Sequence, residues 1–383
     1  MKILAFGTYD ARVHPRIGVL LEGLRAHGDQ VVEVNAPLGV DTASRVAMLR
    51  RPWKLPRLGL RLARLWLALG LRGRRVYRRE RPDAVVVGYL GHFDVRLARL
   101  LFPRAAIVLD HLIFASDTAH DRGETGSWKL RLLDRLDRGA LRAAGVIVVD
   151  TAEHAAMLPP DLAGRGVVVW VGAPGAWFAA GATSDDRSGP AVAAEHEGPL
   201  RVVFFGLFTP LQGTPVIGRA LASLADEPRV RVTMVGTGQD LAETRRLAAT
   251  NPHVTWREWV DPAELPALVA RHDVCLGIFG TGAKARRVVP NKAFQGAAAG
   301  CAVVTSDTPP QRAVLGDAAA LVPPGDADAL AAVLRHLAAD RADLDRLRKA
   351  ARVRAEIAFT SVAVVEPLRQ RLALTTAHLR TVR

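Results

Sequence analysis

The chain has almost no cysteine: Cys275 and Cys301 are the two in 383 residues. That excludes a disulfide framework, and the pair has no metal-ligand spacing. Both lie in apolar runs and read as small buried hydrophobes, consistent with a reducing cytoplasm. Aromatic residues make up only 5%, too sparse to interleave with basic side chains as a nucleic-acid stacking platform does, so no nucleic-acid partner is expected. No apolar run is long enough to span a membrane: Leu58–Leu71 is broken by Arg61 and Arg64. The opening MKILAFGTYD has too short an apolar run for a signal peptide and reads as a first strand. No G-x-G-x-x-G follows that strand, so a nicotinamide dinucleotide site is not expected there. Acidic residues are outnumbered 38 to 52, and the net charge is +14. That permits contact with anionic partners without requiring it.

What is present is a globular composition, 49% hydrophobic and 23% charged, long enough for two domains with separate cores. Lys2–Phe6, a glycine turn at Gly7, a helix entered at His14-Pro15-Arg16 and a strand at Val31–Val34 make a βαβ opening suited to a parallel sheet. Residues 45–81 are dense in arginine, with Leu58, Leu62, Leu65, Trp66 and Leu69 at helical spacing and Trp53 upstream. Two readings fit: a helix with its leucines packed inward and its arginines in water, or a peripheral contact with the inner face of a membrane. Further strands at Ala84–Val87, Ile107–Leu109 and Val146–Val149 bring Thr8, Tyr9, Asp10, His92, Asp94, Asp110 and His111 to one rim, the rim where open α/β sheets bind ligands.

The segment 176–199, rich in Ala, Gly, Ser and Asp, reads as a linker. A second α/β domain follows. Its strands end at Gly206, at Gly236 and Gly238, and near Trp259 and Val260. Its organising stretch is DVCLGIFGTGAKARRVVPNKAFQGAAAGCAVVTSD, 273–307. This predicts a strand at Cys275–Phe279, a loop holding Lys284, Arg286 and Arg287, a helix from Pro290-Asn291 and a strand at Ala302–Thr305. A cationic glycine loop feeding a helix N-terminus cradles anions, phosphate or diphosphate above all.

Several stretches in combination resemble family 4 of the retaining glycosyltransferases: FFGLFTPLQG (204–213), VGTGQ (235–239), VTWREWVDPAELPAL (254–268), PNKAFQGAAAGCAVVTS (290–306) and VVWVGAPGAWF (168–178). The resemblance covers nearly the whole chain. It implies an α/β architecture of the GT-B type, with two Rossmann-like domains facing each other across a cleft. The implied parts are an acceptor domain over 1–175, the linker 176–199, a nucleotide-sugar domain over 200–360 and a final helix, 361–383, crossing back to the first domain. It implies sugar transfer from a nucleotide-diphosphate sugar, UDP-linked before GDP- or dTDP-linked, to an acceptor hydroxyl or amine. It implies no metal and no other cofactor.

The implied donor contacts are Gly206, Gln212, Gly213, Gly236, Gly238, Trp259, Val260, Val288, Val289, Asn291, Lys292 and Gln295, with Gly7 and Arg16 from the first domain. The implied catalytic set is Asp110, His111, Lys284 and Arg287. Two carboxylates of the family pattern fall on Arg287 and Gln295, and two of its cations on Leu207 and Gln212. These departures suggest that Lys284 and Arg287 take over the diphosphate, and that Gln295 keeps a ribose bond without charge. Two alternatives stay open: a GT-B sugar-nucleotide epimerase, and a non-catalytic homologue that binds a sugar nucleotide or a membrane. The expected location is the cytoplasm; the basic stretch leans slightly toward a lipid-linked acceptor at the membrane's inner face, and a soluble small-molecule acceptor, such as a secondary metabolite, fits equally well.

Overall fold

The computed structural model describes residues 1–11, 15–39, 55–89, 91–185 and 198–381. Its contacts divide the chain into two units, Met1–Trp170 with Ser361–Arg383, and Val171–Thr360. Each unit is built on a sheet of six parallel strands flanked by helices.

The first sheet contains β1 (Lys2–Gly7), β2 (Gln30–Asn35), β3 (Ala84–Val87), β4 (Ala106–Asp110), β5 (Val146–Val149) and β6 (Gly166–Val168), in the order β2-β1-β3-β4-β5-β6. The runs AVVV of β3 and VIVV of β5 are buried at every position, because helices cover both faces. Leu4, Phe6, Val85, Val87, Ile107 and Leu109 belong to the core under helices Leu55–Glu80, Asp94–Leu101 and Ser127–Ala143. Ile3, Ala5, Val86, Val108 and Val148 belong to the opposite core, under helices Pro15–Ala26 and Ser361–Thr381. Those two helices cross so closely that a Cβ on Gly23 would lie 2.1 Å from the Ser361 carbonyl oxygen. Of the arginine-dense stretch, positions 45–54 with Trp53 lie outside the described residues, and the remainder forms the helix Leu55–Glu80 and its exit.

The second sheet contains β7 (Leu200–Phe205), β8 (Val230–Val235), β9 (Val254–Arg257), β10 (Val274–Leu276), β11 (Ala302–Ser306) and β12 (Ala319–Val322), in the order β12-β11-β10-β7-β8-β9. The strand expected over Cys275–Phe279 is shorter. Beyond Leu276, Gly277 N still donates to Val304 O at 2.8 Å and Ile278 N to Thr305 Oγ1 at 3.2 Å. Phe279 then turns away and donates to Gln212 O at 3.0 Å.

The segment read as a linker also differs. Gly175–Asp185 is a helix packed on helices Leu265–Ala270 and Asn291–Ala298, with Trp177 stacked on Phe205 at 5.4 Å. Its alanines favour helix, and burial of Trp177 anchors it. Positions 186–197 lie outside the described residues.

Candidate functional site

Ligands of open parallel sheets sit at the carboxyl ends of strands, where the strand order reverses. In the second unit that point lies between β7 and β10, paired through Val202–Val274 and Val203–Cys275. The loops after β7, β8 and β10 meet there by backbone contact. Phe208 N donates to Thr237 O at 2.9 Å, and Asp240 N to Phe208 O at 3.1 Å. The approach is closest at two glycines. A Cβ on Gly236 would stand 1.9 Å from Gly206 O, and one on Gly213 would stand 2.3 Å from Gly280 N. Both have positive φ, 128° and 63°, so glycine is required twice over. Gly238 packs on the backbone of Phe208 in the same way.

Lys292 lies in the first turn of the helix Asn291–Ala298, whose N-cap is Pro290. Its side chain runs inward and is 4% exposed. The ammonium stands 3.7 Å over the Phe204 ring and donates to Gln212 Oε1. A Cβ on Gly206 would be 3.4 Å from Nζ, so the cation borders the mouth of the β7 loop. Among the described residues no carboxylate pairs with it. Burial pulls its amine down to about 7, against a small upward pull from Cys275. A buried cation on a neutral amide, beside a helix N-terminus, is suited to an anion from outside the protein.

The other expected donor contacts surround this point or flank it. Lys284 and Arg287 are half-buried on one turn, closed by Arg287 N donating to Lys284 O at 3.0 Å. Val288 and Val289 are buried, Val288 packing with Ala285 and Ile278. Gln295 is buried one turn after Lys292, and Asn291 is exposed at the helix start. Trp259, 72% exposed, and the half-buried Val260 follow β9. Beneath the β10 loop lies a support that residue spacing did not reveal. Thr305 Oγ1 donates to Gln311 Oε1, and Ser306 Oγ donates to Ile278 O.

In the first unit, Asp94 locks the turn after β1. It accepts from Thr8 N at 2.7 Å, Thr8 Oγ1 at 2.8 Å and Trp66 Nε1 at 2.8 Å. A Cβ on Gly7 would lie 3.0 Å from this carboxylate. Arg16 is buried: its Nε donates to Asp110 Oδ1 at 2.8 Å and its Nη2 to Val169 O at 3.0 Å. Burial raises the Asp110 carboxyl while Arg16 opposes the rise.

His111 is buried between His92, at 5.2 Å, and Phe114, at 4.5 Å between ring centroids. Burial, then His92 and His154, hold it well below the usual imidazole range, so it is neutral. Two carboxylates brace its neighbours: Asp137 Oδ1 meets His92 Nε2 at 2.8 Å, and Asp150 Oδ1 meets His154 Nδ1 at 2.5 Å. Arg16 Nη1, Asp110 Oδ2 and His111 Nε2 are buried with no partner among the described residues. The ligand atoms of His92, His111 and Asp137 lie within 4.8 Å of one another and could hold a metal ion. Sequence spacing showed no such cluster, because Asp137 arrives from a helix 45 positions after His92.

Comparison with known proteins places this geometry in a class. The chain superposes on a sucrose-phosphate synthase from Thermosynechococcus elongatus with a TM-score of 0.69 at 15% identity, covering 99% of this chain and 100% of that one. It superposes on Anabaena HepE in complex with UDP-glucose with a TM-score of 0.64 at 15% identity, covering 99% and 100%. An α,α-trehalose-phosphate synthase (UDP-forming) from Burkholderia vietnamiensis gives 0.63 at 13%, covering 98% and 97%. No curated protein matches by sequence. The fold is GT-B. Residues 199–340 match the family model described as Glycosyl transferases group 1. That match lies within the second unit.

Proposed function

We propose that the protein transfers a sugar from a UDP-sugar to an acceptor hydroxyl or amine with retention of anomeric configuration. The observation that carries this reading is the buried Lys292 ammonium, held on Gln212 at the loop mouth without a carboxylate partner among the described residues. A diphosphate supplies the missing charge. UDP is favoured over GDP and dTDP because the HepE structures contain UDP and UDP-glucose.

In the proposed step the bond from the anomeric carbon to the β-phosphate oxygen breaks. The acceptor atom bonds to that carbon on the same face. Its proton passes to the departing diphosphate oxygen, and UDP leaves. Lys292 and the amides at the start of the helix Asn291–Ala298 stabilise the charge that grows on the diphosphate. Lys284 and Arg287 assist from the β10 loop, and Gln295 binds a ribose hydroxyl as a neutral partner. With these cations in place the reaction is expected to run in a chelator. In the first unit, neutral His111 offers Nε2 to a sugar hydroxyl, and Arg16 holds Asp110 beside it.

The test is incubation with UDP-, GDP- and dTDP-sugars and an acceptor panel, reading free nucleotide and the product's anomeric coupling by NMR. Release of UDP and a product with the donor's configuration are expected. A rearranged nucleotide sugar formed without acceptor would replace this reading with an epimerase. Binding without turnover would favour a non-catalytic homologue, the reading that Arg287 and Gln295, standing in the two carboxylate positions, also suit.

A further inference from the structure

The positive charge of the chain is concentrated in one place. Of the net +14, the first unit carries +13 and the second +1. Basic residues number 31 in the first unit and 21 in the second, and acidic residues 18 and 20. Within the first unit the three helices on one face of the sheet, Leu55–Glu80, Asp94–Leu101 and Ser127–Ala143, hold fifteen Lys and Arg against four acidic residues. Two of those four, Asp94 and Asp137, are buried in hydrogen bonds. The opposite face is mixed, and Arg369 there reaches both Asp29 and Glu366.

The helix Leu55–Glu80 has one inward stripe. Trp66, Leu69, Val76 and Tyr77 join the core, and a Cβ on Gly73 would lie 2.9 Å from Phe102. At helical spacing the opposite stripe carries Leu60, Arg64, Leu67, Leu71, Arg74 and Arg78. Leu67 and Leu71 are each 68% exposed. The helix has a single carboxylate, Glu80, paired with Lys2 and Arg79. Arg74–Arg78 and Arg75–Arg79 are like-charge pairs one turn apart, an arrangement that destabilises a helix in plain water. The neighbouring helix Asp94–Leu101 packs against it and adds Leu100, 78% exposed, with Arg96 and Arg99. The third, Ser127–Ala143, adds Trp128, 66% exposed, among Lys129, Arg131 and Arg135. Exposed leucines and a tryptophan, set among basic residues that outnumber the acidic ones fifteen to four, match lipid chains and anionic headgroups together. They do not offer the rows of aromatic faces on which bases stack.

We propose that this three-helix face docks on an anionic phospholipid membrane. The surface neutralises the arginines and shelters the leucines. The proposal does not depend on the donor site, and its variants lie in the first unit at residues not assigned to donor binding.

The experiment is flotation of the full chain with phosphatidylcholine vesicles, with and without phosphatidylglycerol. Two surface variants are compared: Arg64→Gln/Arg74→Gln/Arg75→Gln/Arg78→Gln, and Leu67→Ser/Leu71→Ser. Wild type is expected on phosphatidylglycerol vesicles only, released by salt. The arginine variant is expected to bind about 100-fold more weakly or worse, at about fivefold per arginine. The leucine variant is expected to lose at least about tenfold. Unchanged UDP-glucose binding shows that both variants are folded. Equal binding to neutral vesicles, no binding to either kind, or wild-type binding by the arginine variant would overturn the proposal. So would displacement from vesicles by a small excess of RNA or duplex DNA, which would make the face a nucleic-acid surface.

Discussion

Replacing Lys292 with methionine should strengthen the fold and weaken the donor site together. Burial pulls the Lys292 amine from 10.5 to about 7. That drop corresponds to about 5 kcal/mol of unfavourable burial below pH 7, at about 1.36 kcal/mol per pH unit. Methionine is of similar length and carries no charge to desolvate. The change also leaves Gln212 Oε1 without its donor, a loss of about 1–3 kcal/mol. The net expectation is a Lys292→Met variant about 2–4 kcal/mol more stable than wild type at pH 6.

The sign with pH follows from the direction. The folded-state amine loses its proton at lower pH than the unfolded one, so this contribution to wild-type stability falls as pH drops from 10.5 to about 7 and is flat below. The advantage of the variant therefore shrinks as pH rises through that window. Binding behaves in the opposite sense. A diphosphate favours the charged amine, so wild-type affinity for UDP-glucose should fall about 30-fold from pH 6 to pH 8.5. Near pH 8 about one proton should be taken up per donor bound. The variant should bind at least about 30-fold more weakly at pH 6, with a flat profile. Denaturant unfolding and calorimetry in two buffers of different ionisation enthalpy measure both effects. A variant less stable than wild type that binds UDP-glucose equally well, or a wild-type affinity independent of pH, would refute the reasoning.

Further outcomes follow from other contacts. Gly236→Ala forces a Cβ to 1.9 Å from Gly206 O at a φ of 128°, so calorimetry should find UDP binding lost while far-ultraviolet dichroism stays that of a folded α/β protein. Arg16→Met strands the Asp110 carboxylate in the core and should destabilise by about 3–5 kcal/mol in denaturant, most of it regained by adding Asp110→Asn. Because burial, then His92 and His154, lower the His111 imidazole well below its usual range, its resonances should show no titration across that usual range in nitrogen-15 NMR.

The architecture is legible in the residues because its signals are local. Runs such as Ala84–Val87 and Val146–Val149 can only be strands buried on both faces. The glycines at 206, 213, 236 and 238 mark the loops that interlock. Long-range pairing is what spacing does not carry. Lys284, Arg287 and Lys292 look alike in sequence, yet Lys292 is the one whose ammonium lies on Gln212, 80 positions earlier. The resemblance to the glycosyltransferase family implies a cation at that loop position, and here a cation from the helix stands beside it. Asp137 was invisible as the partner of His92 for the same reason, whereas the Asp150–His154 pair, four positions apart, is local. The helix Gly175–Asp185 was hidden by composition: its Gly, Ala and Ser content suggested a linker, and the anchor that orders it, Trp177 on Phe205, is again a tertiary contact.

The central claim is that a UDP-sugar binds through its diphosphate at the loops after β7, β8 and β10. Hydrogen–deuterium exchange of the full chain with and without UDP tests it most directly. Slower exchange is expected in peptides covering 206–213, 236–240 and 288–295. Unchanged exchange at all three under saturating UDP, or protection confined to the first unit, would contradict it.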